Sequence, residues 1–298
     1  MNKKLAIVIP YFKIQFFEEC LKSLYNQTNQ NFNLYIGNDN SPEDPHALID
    51  EFEGKLNITY KKFENNLGKI SLVNQWRRCI ELINQETWIM ILGDDDKISS
   101  GCVDSFYNSF KELEYEVFDV MRFASQKIDR NGNATSHIFT HHRIENSIEF
   151  LFRKFRGDTR SSLSEYIFKR NTIEAVQFKN FPLGWHADDL AILECSKFGS
   201  IYSINDAVVY FRNSGSNITS LNSNLIDKNE ASFRFYLYLL KVRADNFNIK
   251  ERRILFQKLE KTYLNDKKRL FFFWEFTKVN CIHHRFMGYI IFFKKFFR

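Results

Sequence analysis

A chain of 298 residues with 44% hydrophobic and 26% charged residues is long enough for one large domain or two ordinary ones, and it can bury a full core without staples. Eleven Gly and four Pro exclude collagen-like and linker-rich classes, and the scattered Cys20, Cys79, Cys102, Cys195 and Cys281, with no CxxC pair, point to reduced thiols in a cytosol. The net charge of +6 is uneven: residues 225–298 carry 17 Lys/Arg against 7 Asp/Glu and hold 13 of the 32 Phe, whereas residues 1–224 carry 25 against 29.

In chain order, Leu5–Ile9 is a short apolar run ended by Pro10, the pattern of a buried parallel strand. It is too short for a signal-peptide core. Phe16, Phe17, Cys20, Leu21 and Leu24 recur at helical spacing and predict a helix over 15–27. A strand over 33–38 runs into Asp39-Asn40-Ser41-Pro42, strong turn chemistry. Next come a short helix over 45–52, a strand over 58–63 and a long helix over 67–83, with Ile70, Val73, Arg77 and Ile80 on one face. A strand over 88–92 ends in Gly93-Asp94-Asp95-Asp96, and Ser99 or Ser100 can cap a helix to about Leu113.

Strand alternating with helix four times implies a parallel sheet with right-handed crossovers, in which ligands bind beyond the carboxyl ends of the strands. Both acidic turns lie at such ends. Beyond Val117–Phe123 the pattern loosens: Asn131-Gly132-Asn133 marks a hairpin, 165–169 a strand, 189–198 a helix stopped by Gly199, and 201–204 and 208–211 two short strands. From Lys228 the chain reads as helical, with pieces over 250–268 and 270–297. No stretch approaches the 18 or more apolar residues of a membrane span.

Three consecutive Asp repel one another, and a divalent cation relieves them; hard carboxylate oxygens suit Mg²⁺ or Mn²⁺, usually shared with substrate phosphates. The alternative is a solvated acidic turn capping the next helix. No GxxxxGK[ST] or GxGxxG occurs, so the common phosphate cradles are absent.

Ala6-Ile7-Val8-Ile9-Pro10-Tyr11, Cys20 to Thr28, Asn38-Asp39-Asn40-Ser41, Asn66-Leu67-Gly68 with Asn74, Ile91-Leu92-Gly93-Asp94-Asp95-Asp96 and the later Trp185-His186-Ala187-Asp188-Asp189-Leu190 together resemble family 2 glycosyltransferases of the GT-A fold. The resemblance implies an α/β fold with a Rossmann-like, mostly parallel central sheet flanked by helices. A catalytic domain over 1–224, divided into a nucleotide-binding half (1–115) and an acceptor half (116–224), would precede a basic, aromatic helical region over 225–298. It further implies an inverting transfer from a UDP-sugar, of a hexosyl or N-acetylhexosaminyl group, to a glycan or lipid-linked acceptor in surface polysaccharide synthesis, with Mn²⁺ or Mg²⁺. Nucleotidyl transfer on a related fold and a non-catalytic membrane-surface module are the rivals.

On this resemblance Pro10 and Tyr11 pack on the base, Asp39 accepts from the uracil ring, and Asn66, Gly68 and Lys69 complete the nucleotide site. The family's Asp-x-Asp-Asp aligns its first Asp with Gly93, a departure that makes Asp95 the direct metal ligand, with Asp94 and Asp96 contacting ribose or acting through water. Val73 stands where the family often has Arg, and Lys69 is either its substitute or a solvated helix lysine. Asp189, then Asp188, is the candidate base; one of them simply favours the helix dipole. Trp185 and His186 line an acceptor or sugar pocket, unless Trp185 is a core anchor. Arg212, opening a flexible loop over 212–217, contacts the diphosphate or pairs with an acid at the sheet edge. The aromatic, basic stretch over 270–298 has the composition of an interfacial helix on anionic lipid, or of a helical cap, and would place the protein in the cytoplasm, peripherally at the membrane's inner face. No nucleic-acid-reading motif is present.

Overall fold

The structure, a computed structural model, describes residues 4–113, 118–215, 223–285, 288–290 and 292. These form two compact units, one of 1–180 and 188–220, the other of 181–187 and 221–298.

The first unit is built on strands. β1 (Leu5–Tyr11) is apolar and buried along almost its whole length, as a central parallel strand demands. α1 (Phe17–Tyr25) comes next and buries Phe17, Cys20, Leu21 and Leu24 on one face. β2 (Phe32–Asn38), α2 (His46–Asp50), β3 (Ile58–Lys62), α3 (Leu72–Ile80) and β4 (Trp88–Ile91) complete the regular half. β1 pairs in parallel with β2 on one side and β4 on the other, and β2 with β3.

β1 runs to Tyr11 rather than stopping at Ile9. Pro10 is tolerated because β4 pairing ends at Val8↔Ile91, so its missing N–H lies past the last rung on that side. α3 is shorter than the expected 67–83. Its cap is Ser71, whose hydroxyl accepts from the Asn74 N–H at 3.2 Å. Residues 67–71 instead form a turn, and Ile70, placed by its spacing on the helix's apolar face, is 83% exposed.

The remaining elements are β5 (Lys97–Ile98), α4 (Cys102–Glu112), β6 (Val120–Ile128), β7 (Ile144–Asn146), α5 (Ser147–Arg156), β8 (Tyr166–Lys169), α6 (Arg170–Val176), α7 (Ala187–Cys195) and β9 (Ser200–Arg212). The sheet runs β3-β2-β1-β4-β8-β6-β9-β5, with β7 also on β9. Its β4–β8, β6–β8, β5–β9 and β7–β9 pairs are antiparallel, so the sheet is mixed beyond β4. The two short strands expected over 201–211 are one strand, whose register against β6 slips between Phe123 and Ala124. α5 has both punctuation marks of a helix: Asn146 caps its start and Gly157, at φ 85°, ends it.

The second unit holds α8 (Leu225–Val242), α9 (Ile249–Asn265) and α10 (Leu270–Ile282). α9 opens with a reciprocal capping box between Asn248 and Glu251. Phe233 stacks on Phe272 at 3.8 Å, and Tyr263 packs against Phe276 and Phe292. Of the tail phenylalanines, Phe233, Phe235, Phe247, Phe256, Phe272, Phe276 and Phe292 are buried, so much of the Phe excess is core. Leu270, Phe271 and Trp274 on α10 are exposed, whereas most of 286–298 lies outside the described residues. Among the described residues no helix is long and apolar enough to cross a membrane.

Candidate active site

β1, β2 and β4 are neighbours and parallel, so their carboxyl ends open side by side. The segments that leave these strands collect at that edge: Phe12 and Lys13 after β1, Asp39 after β2, and Leu92 to Asp96 after β4. These residues, with the Asn66–Lys69 turn, Leu72, Gln75 and Trp76 of α3, residues 162–164 and Phe211, line a cavity of about 580 Å³.

Asp39 organises one wall. Its carboxylate accepts from the Leu67 N–H at 2.7 Å and the Gly68 N–H at 2.9 Å, and pairs with Arg78. The approach is close enough to require glycine: a Cβ on Gly68 would stand 2.5 Å from Asp39 Oδ2. Asn66 closes the same turn by accepting from the Lys69 N–H at 2.9 Å, which leaves the exposed Lys69 at the cavity's edge. Arg78 is fixed in turn by Asn65 and by the Phe63 ring, 4.0 Å from its guanidinium carbon.

The three aspartates do different work. Asp94 Oδ2 accepts from the Phe12 and Lys13 N–H groups at 2.7 and 2.8 Å, tying the loop after β1 to the loop after β4. Asp96 accepts from the Ser164 hydroxyl at 2.5 Å and the Arg212 N–H at 2.9 Å. Among the described residues no other residue donates to the Asp95 carboxylate, and none of the three makes an ion pair. Burial, then the neighbouring Asp95 charge, pushes Asp94 up to about 7 and Asp96 up to about 8; the bonds each accepts oppose the rise. Burial also raises Asp95.

Gly93 explains why an aspartate is missing from the family pattern. A Cβ there would lie 3.0 Å from both Asp95 Oδ1 and Asp96 Oδ2, so a side chain would crowd into the space those oxygens share. That convergence of hard oxygen donors suits a divalent cation. Among the described residues no group of three His, Cys, Asp or Glu side chains is placed to hold a metal ion.

Pro10, Asp39, Asn66, Gly68, Lys69, Asp94, Asp95 and Asp96 are thus brought together, but two expected members are not. Tyr11 is fully buried, its ring 4.7 Å from Phe17 and its hydroxyl donating to the Glu43 carbonyl. Strand alternation turns Pro10 and Phe12 to the cavity and Tyr11 to the core. Arg212 ends β9 instead of opening a loop, and its guanidinium is wholly buried, donating to the Asp95, Asp129 and Arg130 carbonyls and to Glu19. It braces the back of the acidic turn while its neighbour Phe211 lines the cavity. Residues 216 and 217 of the expected loop lie outside the described residues. Trp76, from α3, and Ser164 and Phe211, from segments remote in sequence, are unforeseen members.

Asp188 and Asp189 open α7 and do not line this cavity. Asp189 is buried and paired at 2.5 Å with Lys154 of α5, while Asp188 is half-buried. Burial alone would lower Lys154, but the Asp189 and Asp188 carboxylates raise it. Trp185 and His186 belong to the second unit. His186 stacks on Phe235 at 4.6 Å and bonds Ser232 at 3.0 Å, and the Lys228 ammonium stands 5.1 Å from the Trp185 ring centre.

The chain is 28% identical over 165 residues to a teichoic acid poly(glycerol phosphate) polymerase of Staphylococcus epidermidis, covering 51% of this chain and 22% of the relative. It is 25% identical over 181 residues to a GalNAc(5)-diNAcBac-PP-undecaprenol beta-1,3-glucosyltransferase of Campylobacter jejuni, covering 59% and 54%. It therefore spans from about a fifth to about half of these relatives' lengths. The fold matches the 1-349 fragment of S. aureus TarS solved with UDP-GlcNAc, with a TM-score of 0.64 at 14% identity over 93% of this chain and 79% of that one, and the UDP complex, with a TM-score of 0.61 at 15% identity over 90% and 72%. The architecture is that GT-A fold, and the model for glycosyl transferase family 2 matches residues 6–170, more than half of the chain. The chain belongs to glycosyl transferase family 2.

Proposed function

We propose that the protein is a metal-dependent, inverting glycosyltransferase that moves a hexosyl or N-acetylhexosaminyl group from a UDP-sugar to a hydroxyl of a glycan or lipid-linked acceptor in surface polysaccharide synthesis. The observation that carries this reading is the convergence of Asp39, the Asn66–Lys69 turn and Asp94–Asp96 on one cavity at the carboxyl ends of β1, β2 and β4. The TarS complexes with UDP and UDP-GlcNAc, and the activities of the two named relatives, support the donor and acceptor classes.

In this mechanism Asp39, acceptor-only and fixed by Arg78, takes a hydrogen bond from the uracil N–H, while Pro10 and Phe12 wall the base. Asp95 would hold Mn²⁺ or Mg²⁺ directly, with Asp96 Oδ2 beside it and Asp94 keeping the loop after β1 in register. A bound cation would neutralise charge on the departing diphosphate. Trp76, Leu72 and Phe211 keep water from the sugar's reacting carbon. The acceptor hydroxyl attacks that carbon from the face opposite the diphosphate, and Asp189, or Asp188 beside it at the start of α7, takes the hydroxyl proton. The exposed Leu270, Phe271 and Trp274, among basic residues such as Lys267 and Lys268, support contact with an anionic lipid surface.

Titration calorimetry tests the donor site. UDP affinity should rise at least about tenfold with Mn²⁺, equivalent to about 1.4 kcal/mol, and metal-independent or absent UDP binding overturns the reading. Asp189→Asn should keep UDP affinity and lose transfer by roughly 10³-fold; retained turnover rejects Asp189 as base.

A further inference from the structure

The second unit has a cavity of its own, about 750 Å³, which the donor chemistry does not use. Trp185 and Tyr236 supply aromatic surface to it, and Lys228, Lys258 and Lys261 supply three ammonium groups. The acidic residue on its lining, Asp266, pairs at 2.7 Å with Arg269, a cation outside the lining. Burial lowers Lys228; burial and the Lys261 charge lower Lys258, so the cavity both desolvates positive charge and gathers it.

We infer that this cavity binds a phosphodiester-bearing glycan, the acceptor chain of the transfer reaction, and this inference rests on the proposed function. A lysine ammonium is a compact donor with no acceptor capacity, suited to the non-bridging oxygens of phosphate and gaining little from neutral hydroxyls alone. Sugar and polyol carbons pack on aromatic faces, and the Trp185 ring already carries the Lys228 ammonium 5.1 Å from its centre. One ring and one cation are therefore placed to take adjacent apolar and anionic groups of a single chain.

The test uses the full chain and a short glycerol oligomer joined by phosphodiesters, with an uncharged malto-oligosaccharide of similar length as control, read by calorimetry and tryptophan fluorescence. Wild-type protein should bind the charged oligomer, more weakly as salt rises, and bind the neutral one at least about tenfold less tightly. Lys228→Gln/Lys258→Gln/Lys261→Gln should weaken the charged oligomer about tenfold or more and leave Mn²⁺-dependent UDP affinity unchanged. Trp185→Phe should blunt the fluorescence response. Equal affinity of the triple variant and wild type, or equal affinity for the two oligomers, overturns the inference. Preferential binding to vesicles carrying a polyprenyl diphosphate, with no binding of the soluble oligomer, also overturns it in favour of a lipid carrier. UDP binding without oligomer binding removes the inference alone; lysine-dependent oligomer binding without UDP binding removes the transferase reading and its acceptor role while leaving the anionic site.

Discussion

Two acidic clusters of the first unit sit in opposite electrostatic conditions. Asp189, at the start of α7, is buried against Lys154, and the chain supplies its own counter-charge. Asp94, Asp95 and Asp96 have hydrogen bonds and neighbouring N–H groups but, among the described residues, no ion-pair partner, and all three are pushed towards the neutral acid. The difference separates a carboxylate given its counter-charge at folding from a set that the fold leaves without one among the described residues. Pairing with a cation lowers a carboxylate's proton affinity, whereas crowding like charges without a partner raises it and favours an incoming cation.

The largest expected effect tests the unpaired cluster. Asp95→Asn should abolish the Mn²⁺ enhancement of UDP binding and cut turnover by about 10³-fold, with the far-UV spectrum unchanged, whereas a variant that retains metal-dependent binding makes Asp95 a bystander. The paired cluster predicts a stability effect instead. Lys154→Met leaves the buried Asp189 charge without its partner and should cost about 3–5 kcal/mol in denaturant unfolding, while Lys154→Met with Asp189→Leu should recover much of that. A single variant as stable as wild type would put the two clusters in the same class.

The smallest effect is a dependence on pH. The folded pKa values of Asp94 and Asp96, about 7 and about 8, lie above that of an unfolded aspartate. The folded state then binds more protons, so their contribution to stability is complete below the unfolded value and lost as pH rises through 7 and 8. Asp95→Asn removes the second cause of the rise. In metal-free buffer its Tm should exceed wild type by about 2–4 °C at pH 8.5 and match it near pH 4, and a constant difference across that range would contradict the repulsion.

The half over 1–115 is legible in the sequence because its signals are local. Buried apolar runs at 5–9, 33–38 and 88–92 each end in a turn, and the parallel order follows from the alternation with helices. The acidic turns can therefore be placed at one edge from the residues alone. Side-chain direction is legible too once the strand is carried through Pro10: alternation then favours Phe12 over Tyr11 as a wall. Asn146 and Gly157 similarly mark α5, a helix absent from the expected elements. Lys154 as the partner of Asp189, Ser164 as the support of Asp96 and Arg212 as a buried brace have no local signal, because each pairing is made only when distant segments meet. The tail misleads through composition: α10 is apolar on nearly every side, so periodicity does not separate the buried Phe272 and Phe276 from the exposed Phe271 and Trp274.

The membership of residues 181–187 in the second unit has a consequence for inheritance and for cutting the chain. That unit is not a terminal appendage. It includes an internal loop whose Phe181 and His186 rings pack on Phe235 of α8. A deletion from residue 225 onward would strip those rings of their cover, so loss of activity in such a truncation would say nothing about lipid. A relative that exchanged this unit for another would have to exchange two separated pieces of sequence together, which recombination at a single breakpoint does not do.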